Sequence, residues 1–203
     1  MKNLVGIVGT NSDQSTNRML LQFIQKHFKE QANIELCEIK DLPPFNKPKD
    51  RKAPEEVHNL AKKIQNADGV IISTPEYNHS VPAALKSTLE WFSYTNQPLI
   101  DKPVMITGAS YGRLGSSRSQ THLRQMLDAP ELKARIMPSS EFLLGFSLQA
   151  FDDDGNLKDE KKIKELNDIF NDFIHFVEIT NQLVSAKKSN QESVKYFSWE
   201  LNK

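Results

Sequence analysis

Cysteine is almost absent from the chain: Cys37 stands alone among 203 residues, which excludes an intrachain disulfide and any multi-cysteine zinc or iron–sulfur site. It falls in the alternating run Ile34-Glu35-Leu36-Cys37-Glu38-Ile39, where a thiol is most simply a packing residue. An excess of one charge is missing too. Lys plus Arg and Asp plus Glu both number 26, so there is no basic field to hold nucleic acid. No apolar run approaches a membrane span, and Leu4 to Gly9 is too short for a secretory signal, so a cytoplasmic protein with no membrane partner is expected. The histidines, His27, His58, His79, His122 and His175, are scattered without metal-ligand spacing, so no metal site is expected. Internal repeats, linkers and low-complexity tracts are also lacking.

What remains is a regular alternation of short apolar runs and amphipathic stretches. Leu4 to Val8 reads as a strand closed by Gly9, and the spacing of Met19, Leu20, Phe23, Ile24 and Phe28 predicts a helix after a polar loop. Ile34 to Ile39 is a second strand, followed by a proline-stiffened loop from Asp41 to Pro48 and a helix over about Pro54 to Asn66. Val70 to Thr74 is a third strand. Pro75 ends it, and Pro82 supplies a preset first turn for a helix carrying Leu85, Leu89, Trp91 and Phe92. Trp91 and Phe92 read as core residues or as a face for a second subunit. Pro103 to Thr107 is a fourth strand before a glycine-punctuated loop and a helix with Leu123, Met126 and Leu127. Arg135-Ile136-Met137 and Glu141-Phe142-Leu143-Leu144 compete for the fifth strand, and a long helix is expected over about Asp159 to Leu183.

Such alternation predicts an α/β fold with helices on both faces of a parallel sheet. Five strands suggest the flavodoxin-like three-layer sandwich with strand order 2-1-3-4-5. That order makes neighbours of the loops after strands one, three and four, at the sheet end where open α/β folds bind ligands.

Those loops carry the chemistry. Thr10, Asn11, Ser12, Ser15, Thr16 and Asn17 bring hydroxyls and amides to a helix start, a ready anion site, although Ser12 or Ser15 also fits ordinary helix capping. The stretch lacks a Gly-Lys-Ser/Thr end, and Gly6-Ile7-Val8-Gly9 does not give the dinucleotide spacing, which leaves a phosphomonoester held by neutral donors. In the second loop Tyr77 offers an aromatic face, and Glu76 reads either as a general base or as the acceptor of a loop-fixing hydrogen bond. In the third, Gly112 lets the main chain approach a ligand whereas Gly115 serves close packing, and Arg113 and Arg118 read either as partners for the phosphates of a second, transient nucleotide or, for at least one of them, as a solvated surface arginine.

Gly9-Thr10 through Ser15-x-Asn17, Pro75-Glu76-Tyr77-Asn78-His79-Ser80-Val81-Pro82-Ala83-Ala84-Leu85-Lys86, and Gly108-Ala109-Ser110-x-Gly112-Arg113-Leu114-Gly115 together resemble the NAD(P)H-dependent FMN reductase family, over about Leu4 to Phe146. The resemblance implies bound FMN, NADPH or NADH as co-substrate, and a small-molecule electron acceptor: a quinone, azo compound, metal oxyanion or free flavin. It implies that Thr10, Ser12, Ser15 and Asn17 hold the FMN phosphate, that Pro75, Glu76, Tyr77 and Asn78 contact ribityl and ring, and that Ser110 and Gly112 border the ring from the other side. No catalytic side chain is then required, because the flavin N5 carries the hydride chemistry. Two positions depart from the family: Ser12 stands where many members have an arginine, with Arg18 or the neutral donors as possible substitutes, and Ser116 stands where a glycine is frequent.

The resemblance also suggests a homodimer or a dimer of dimers. Residues 1–183 are expected to form the FMN-binding domain. The tail, 184–203, with Tyr196, Phe197, Trp199 and Leu201, reads as a frayed end or as an inter-subunit arm. Two other readings stay open: an electron carrier of the flavodoxin type with no substrate of its own, and a non-flavin module that binds another phosphate ligand or a protein.

Overall fold

The structure, a computed structural model, describes residues 1–187. The expectations for the tail beyond Lys187 lie outside the described residues. Strands β1 (Lys2–Val8), β2 (Ala32–Glu38), β3 (Gly69–Ser73), β4 (Pro103–Ala109), β5 (Arg135–Ile136) and β6 (Phe142–Leu144) form one parallel sheet. Helices α1 (Thr16–His27), α2 (Glu55–Asn66), α3 (Ala83–Tyr94), α4 (Ser117–Leu127) and α5 (Glu160–Lys187) connect and cover it.

The strands are apolar throughout because both faces are covered, and the period-two alternation divides their side chains between two cores. Val5, Ile7, Val70, Ile72, Val104 and Ile106 point to the side of α2, α3 and α4, where they meet Val57, Leu60, Leu85, Leu89 and Leu123. Leu4, Val8, Ile71 and Met105 point to the side of α1 and α5, against Leu20, Ile24, Phe170 and Phe173. Trp91 and Phe92 are buried in the first of these cores. The Trp91 indole N–H donates to the Pro43 carbonyl at 2.8 Å and so pins the proline-stiffened loop, and neither side chain is open to a second subunit.

Strand order is β2-β1-β3-β4-β5, as the alternation predicts, but the fifth position is shared. Arg135 and Ile136 pair with Pro103 and Val104, whereas Phe142 to Leu144 pair with Thr107 to Ala109 on the same edge of β4. Between them Pro138 has no amide to donate and Ser139 sits at φ 56, so the chain leaves the edge and returns. Both candidate segments are therefore strands.

Register positions the site. Val8 is level with Ser73 and Ser73 with Thr107, so β1 and β3 end together and β4 runs two residues further, to Ala109. Gly9 donates its N–H to the Ser73 carbonyl at 2.8 Å, and a Cβ on Gly9 would lie 2.6 Å from that oxygen. Only glycine lets the first loop start so close to the third strand.

Candidate functional site

The first loop is shaped from below by Thr10 and from the side by Arg18. Thr10 is fully buried; its hydroxyl accepts from the Ser12 amide at 3.2 Å and shares a 3.4 Å hydrogen bond with the Tyr77 hydroxyl. Arg18 donates through Nε and Nη2 to the two carboxylate oxygens of Glu38, at 2.6 and 2.8 Å. It also donates to the carbonyls of Asp13 (2.8 Å) and Ser12 (3.0 Å). The Glu38 hydrogen bond holds the guanidinium pKa above its ordinary value. Arg18 is thus a clamp on the loop backbone rather than a replacement for the arginine missing at Ser12.

Ser15 is the N-cap of α1: its backbone is extended and its hydroxyl accepts from the Arg18 amide at 3.3 Å. The N–H groups of Thr16 and Asn17 then have no acceptor within the helix, which leaves a partly positive helix start for an anion. The Asn17 side chain is buried and engaged. Its Nδ2 donates to the Ala109 carbonyl at 2.9 Å, and its Oδ1 accepts from the Ala109 amide and the Ser73 hydroxyl, each at 2.9 Å. One residue of α1 therefore ties the ends of β3 and β4 to the first loop.

The second loop turns through a two-residue hairpin. Tyr77 and Ser80 exchange N–H···O bonds of 3.0 Å, with Asn78 at φ 49 and His79 at φ 64 between them. Two successive left-handed residues make a type I′ turn, which Asn accepts readily and His tolerates. Glu76 points away from the turn to the start of α4. That helix has no acid in its first turn, and its N-cap, Ser116, sits at φ 65 without a side-chain cap. Glu76 supplies what is missing: its carboxylate accepts from the amides of Arg118 (3.1 Å) and Ser119 (3.5 Å) and from the Arg118 guanidinium (3.2 Å). Of the two roles open to Glu76, the structure displays the loop-fixing hydrogen bond. Arg118, expected to be free for a nucleotide, is instead ion-paired with it.

The third loop is laced to the segment after β6. Ser110 donates to the Leu144 carbonyl, Ser147 to the Ser110 carbonyl and Phe146 to the Gly112 carbonyl, all at 3.0 Å. Gly115 lies at φ +57, and a Cβ there would stand 2.6 Å from the Leu143 carbonyl carbon, so both conformation and packing demand glycine. A Cβ on Gly112 would meet no protein atom within 4 Å, so Gly112 borders open space. Ser116, at the other departure from the family, is buried and fills the position against which Gly108 packs.

Together the three loops enclose a cleft of about 820 Å³ lined by Ser12, Ser15, Asn17, Pro75, Glu76, Tyr77, Ser110 and Gly112, among others. Two expected residues fall elsewhere: Thr10 stands beneath the wall, and Asn78 lines an adjoining cleft that shares Tyr77. Thr16, named in the first loop for its hydroxyl, is also a wall residue, whereas Gln14, in the same polar run, was missed. Tyr77 and Tyr111, 47% and 58% exposed, present aromatic surface at the cleft from different loops.

Residues 2–149 match the family described as NADPH-dependent FMN reductase. The chain is 58% identical over 98% of its length to the NADH:(hydroxy)cinnamate reductase subunit CrdA of Vibrio ruber, covering 98% of that protein. It is 44% identical over 86% of its length to NADH-dependent flavin reductase subunit 2 of Lactobacillus johnsonii, covering 97% of it. Among solved structures, FerB, an NAD(P)H:(acceptor) oxidoreductase from Paracoccus denitrificans, superposes with a TM-score of 0.80 at 29% identity, over 89% of this chain and 99% of that one.

Proposed function

The chain belongs to the NADPH-dependent FMN reductase family, and from that premise we propose that it binds FMN in the three-loop cleft and carries electrons from NADH or NADPH to an acceptor. The observation that carries the proposal is the convergence of all three motif-bearing loops on one cleft, whose volume suits a cofactor of this size. The donor set fits the cofactor. Ser15 and the free amides of Thr16 and Asn17 offer neutral hydrogen bonds to a phosphate at a helix start, and Ser12 joins them by turning its hydroxyl away from the Gln14 carbonyl, to which it donates at 2.8 Å. Thr10 supports that loop from beneath. Pro75, Glu76 and Tyr77 form the wall for ribityl and ring, with Asn78 behind it on the adjoining cleft, and Ser110 and Gly112 form the opposite border, where glycine leaves room for a planar group.

Bound FMN would supply the hydride chemistry, so the chain's own work is to hold and orient. Glu76 fixes the second loop against α4, Asn17 fixes the strand ends, and the 144–147 segment fixes the third loop. None of these needs to exchange a proton with a substrate. Hydride donor and acceptor use the same open face in turn, which gives parallel lines in initial-rate plots; intersecting lines would count against a shared site.

Two of the relatives are named as subunits and both names specify NADH. We therefore extend the proposal: NADH is the preferred donor, and the chain works within a larger assembly, as a homodimer or with a different partner that takes the electrons. Residues 1–183 constitute the cofactor-binding unit. No helix among the described residues is long and apolar enough to cross a membrane, in keeping with a cytoplasmic place for that assembly.

The test begins with an absorbance spectrum of the purified protein and titration with FMN, followed by mixing with NADH or NADPH. Uptake of FMN and bleaching of its band by either nucleotide is the expected result. Uptake without bleaching would favour an electron carrier, and no uptake would favour a non-flavin module.

A further inference from the structure

The arginines of this chain are committed to protein partners with one exception. Arg18 is bound to Glu38, Arg118 to Glu76, Arg135 to Asp101, and Arg124 donates to the carbonyls of Met137 and Ser140. Arg51 stands over the Tyr94 ring. Arg113 alone has no ion pair or hydrogen bond from its side chain to any described residue, yet it lines the cleft. Among the described residues the only carboxylate on the cleft wall is Glu76, already satisfied by Arg118 and two α4 amides. The cleft therefore keeps one uncompensated positive charge.

That charge stands on a fixed base. Gly112, just before it, accepts from the Ser110 hydroxyl and the Phe146 amide, each at 3.0 Å. The Arg113 carbonyl is packed so closely on Gly145 that a Cβ there would lie 2.5 Å from it. Gly115 holds the turn beyond. Tyr111 and Leu114, neighbours of Arg113 in the chain, are 58% and 40% exposed and line the same cleft. A free cation on a rigid loop between apolar neighbours is organised for an anionic ligand that comes and goes.

The FMN phosphate is not that ligand, because the helix start that suits it lies on the first loop. β3 stands between β1 and β4, and two strand spacings of about 4.8 Å put the first and third loops roughly 10 Å apart at their bases. The helix start on the first loop and Arg113 on the third thus stand at two corners of one cleft. Resting on the reductase reading above, we propose that Arg113 recognises the pyrophosphate of the nicotinamide dinucleotide while its dihydronicotinamide takes the open face beside the flavin ring. Arg113 then selects the hydride donor and leaves the acceptor half of the cycle to other contacts.

The test uses the FMN-loaded full chain and two donors: NADH, and 1-benzyl-1,4-dihydronicotinamide, which has the reacting ring and no phosphate. In Arg113→Gln the ratio of kcat/KM for NADH to that for the phosphate-free donor should fall about tenfold, the scale of one charge-assisted contact. The loss should appear in KM for NADH, recover in part in Arg113→Lys, and leave the FMN dissociation constant from fluorescence titration in place. An unchanged donor ratio would overturn the proposal, as would a variant that loses both donors alike or loses FMN affinity instead. If the wild-type protein takes up FMN but neither donor bleaches it, the reductase reading itself fails and takes this inference with it. Bleaching by both donors with an unaltered ratio in Arg113→Gln refutes the inference alone.

Discussion

Replacing Asn17 by leucine keeps the branched shape of the side chain and removes three hydrogen bonds. The groups left behind are the amide and carbonyl of Ala109 and the hydroxyl of Ser73, all in residues no more than 1% exposed. A buried donor or acceptor without a partner costs roughly 1–3 kcal/mol; since the Ser73 hydroxyl can rotate and leucine gains some packing, the expected loss is about 3–6 kcal/mol. Asn17→Asp sharpens the reasoning. Protonated, its carboxyl can donate to the Ala109 carbonyl and accept from the Ala109 amide, much as the amide does; ionised, it sets a buried charge against that carbonyl. Burial therefore raises the folded-state pKa of the introduced carboxyl above its unfolded value of about 3.9. The stability is present below that unfolded pKa and is lost as pH rises through the folded one. Urea unfolding followed by circular dichroism, with and without FMN at pH 5 and pH 8, measures both effects. A loss below about 1 kcal/mol in Asn17→Leu, or an Asn17→Asp variant as stable at pH 8 as at pH 5, would refute the assignment of Asn17 as a brace. Weakened FMN binding at unchanged apoprotein stability would point to a direct hold on the phosphate instead.

Glu76→Gln should lower stability by about 1 kcal/mol through loss of the negative charge at the start of α4, with kcat for NADH oxidation kept within a few-fold. A fall of about a hundredfold with an altered pH–rate profile would restore Glu76 as a general base. Gly108→Ala should be strongly destabilising in thermal melts, because the new Cβ would lie 1.9 Å from the Ser116 hydroxyl and 2.5 Å from the Thr74 carbonyl. Adding Ser116→Gly should recover part of the loss, since it removes the nearer clash and relieves φ 65; strictly additive effects would show that the two residues are not coupled. Burial pushes the Cys37 thiol up to about 11. The unfolded chain then releases its proton first, so this thiol's contribution to stability is full below the unfolded pKa and falls as pH rises toward 11. Cys37→Ala should flatten that part of the pH–stability curve, and an identical slope in the variant would contradict the burial argument.

Much of the architecture was legible in the chain because it rests on local order. Runs such as Val70 to Ser73 are apolar at every position since both faces of a parallel strand are covered, and stripes such as Leu166, Phe170, Phe173 and Val177 repeat at helical spacing. Proline and glycine marked where the strands stop, and the strand order then made neighbours of the three loops. The shared fifth position was visible only as a conflict between two short runs, because which of them pairs depends on how far each reaches along β4.

Side-chain commitments are a different matter, since partners distant in sequence leave no local trace. Glu76 caps a helix 42 residues away, and Asn17 reaches 56 residues to Ser73 and 92 to Ala109. The residue types in the loops pointed to an anion and a flat ring, and could not divide the polar groups between those that face a ligand and those that hold the loops. Arg113 and Arg118 looked alike in the sequence, five residues apart; folding paired Arg118 with a carboxylate and, among the described residues, gave Arg113 none. The sequence by itself thus determined the sheet, its order and the three loops at one end, through the periodicity and turn chemistry of contiguous residues. Which charges in the cleft are spent and which stay available only the tertiary structure decided, because charge pairing depends on distance in space.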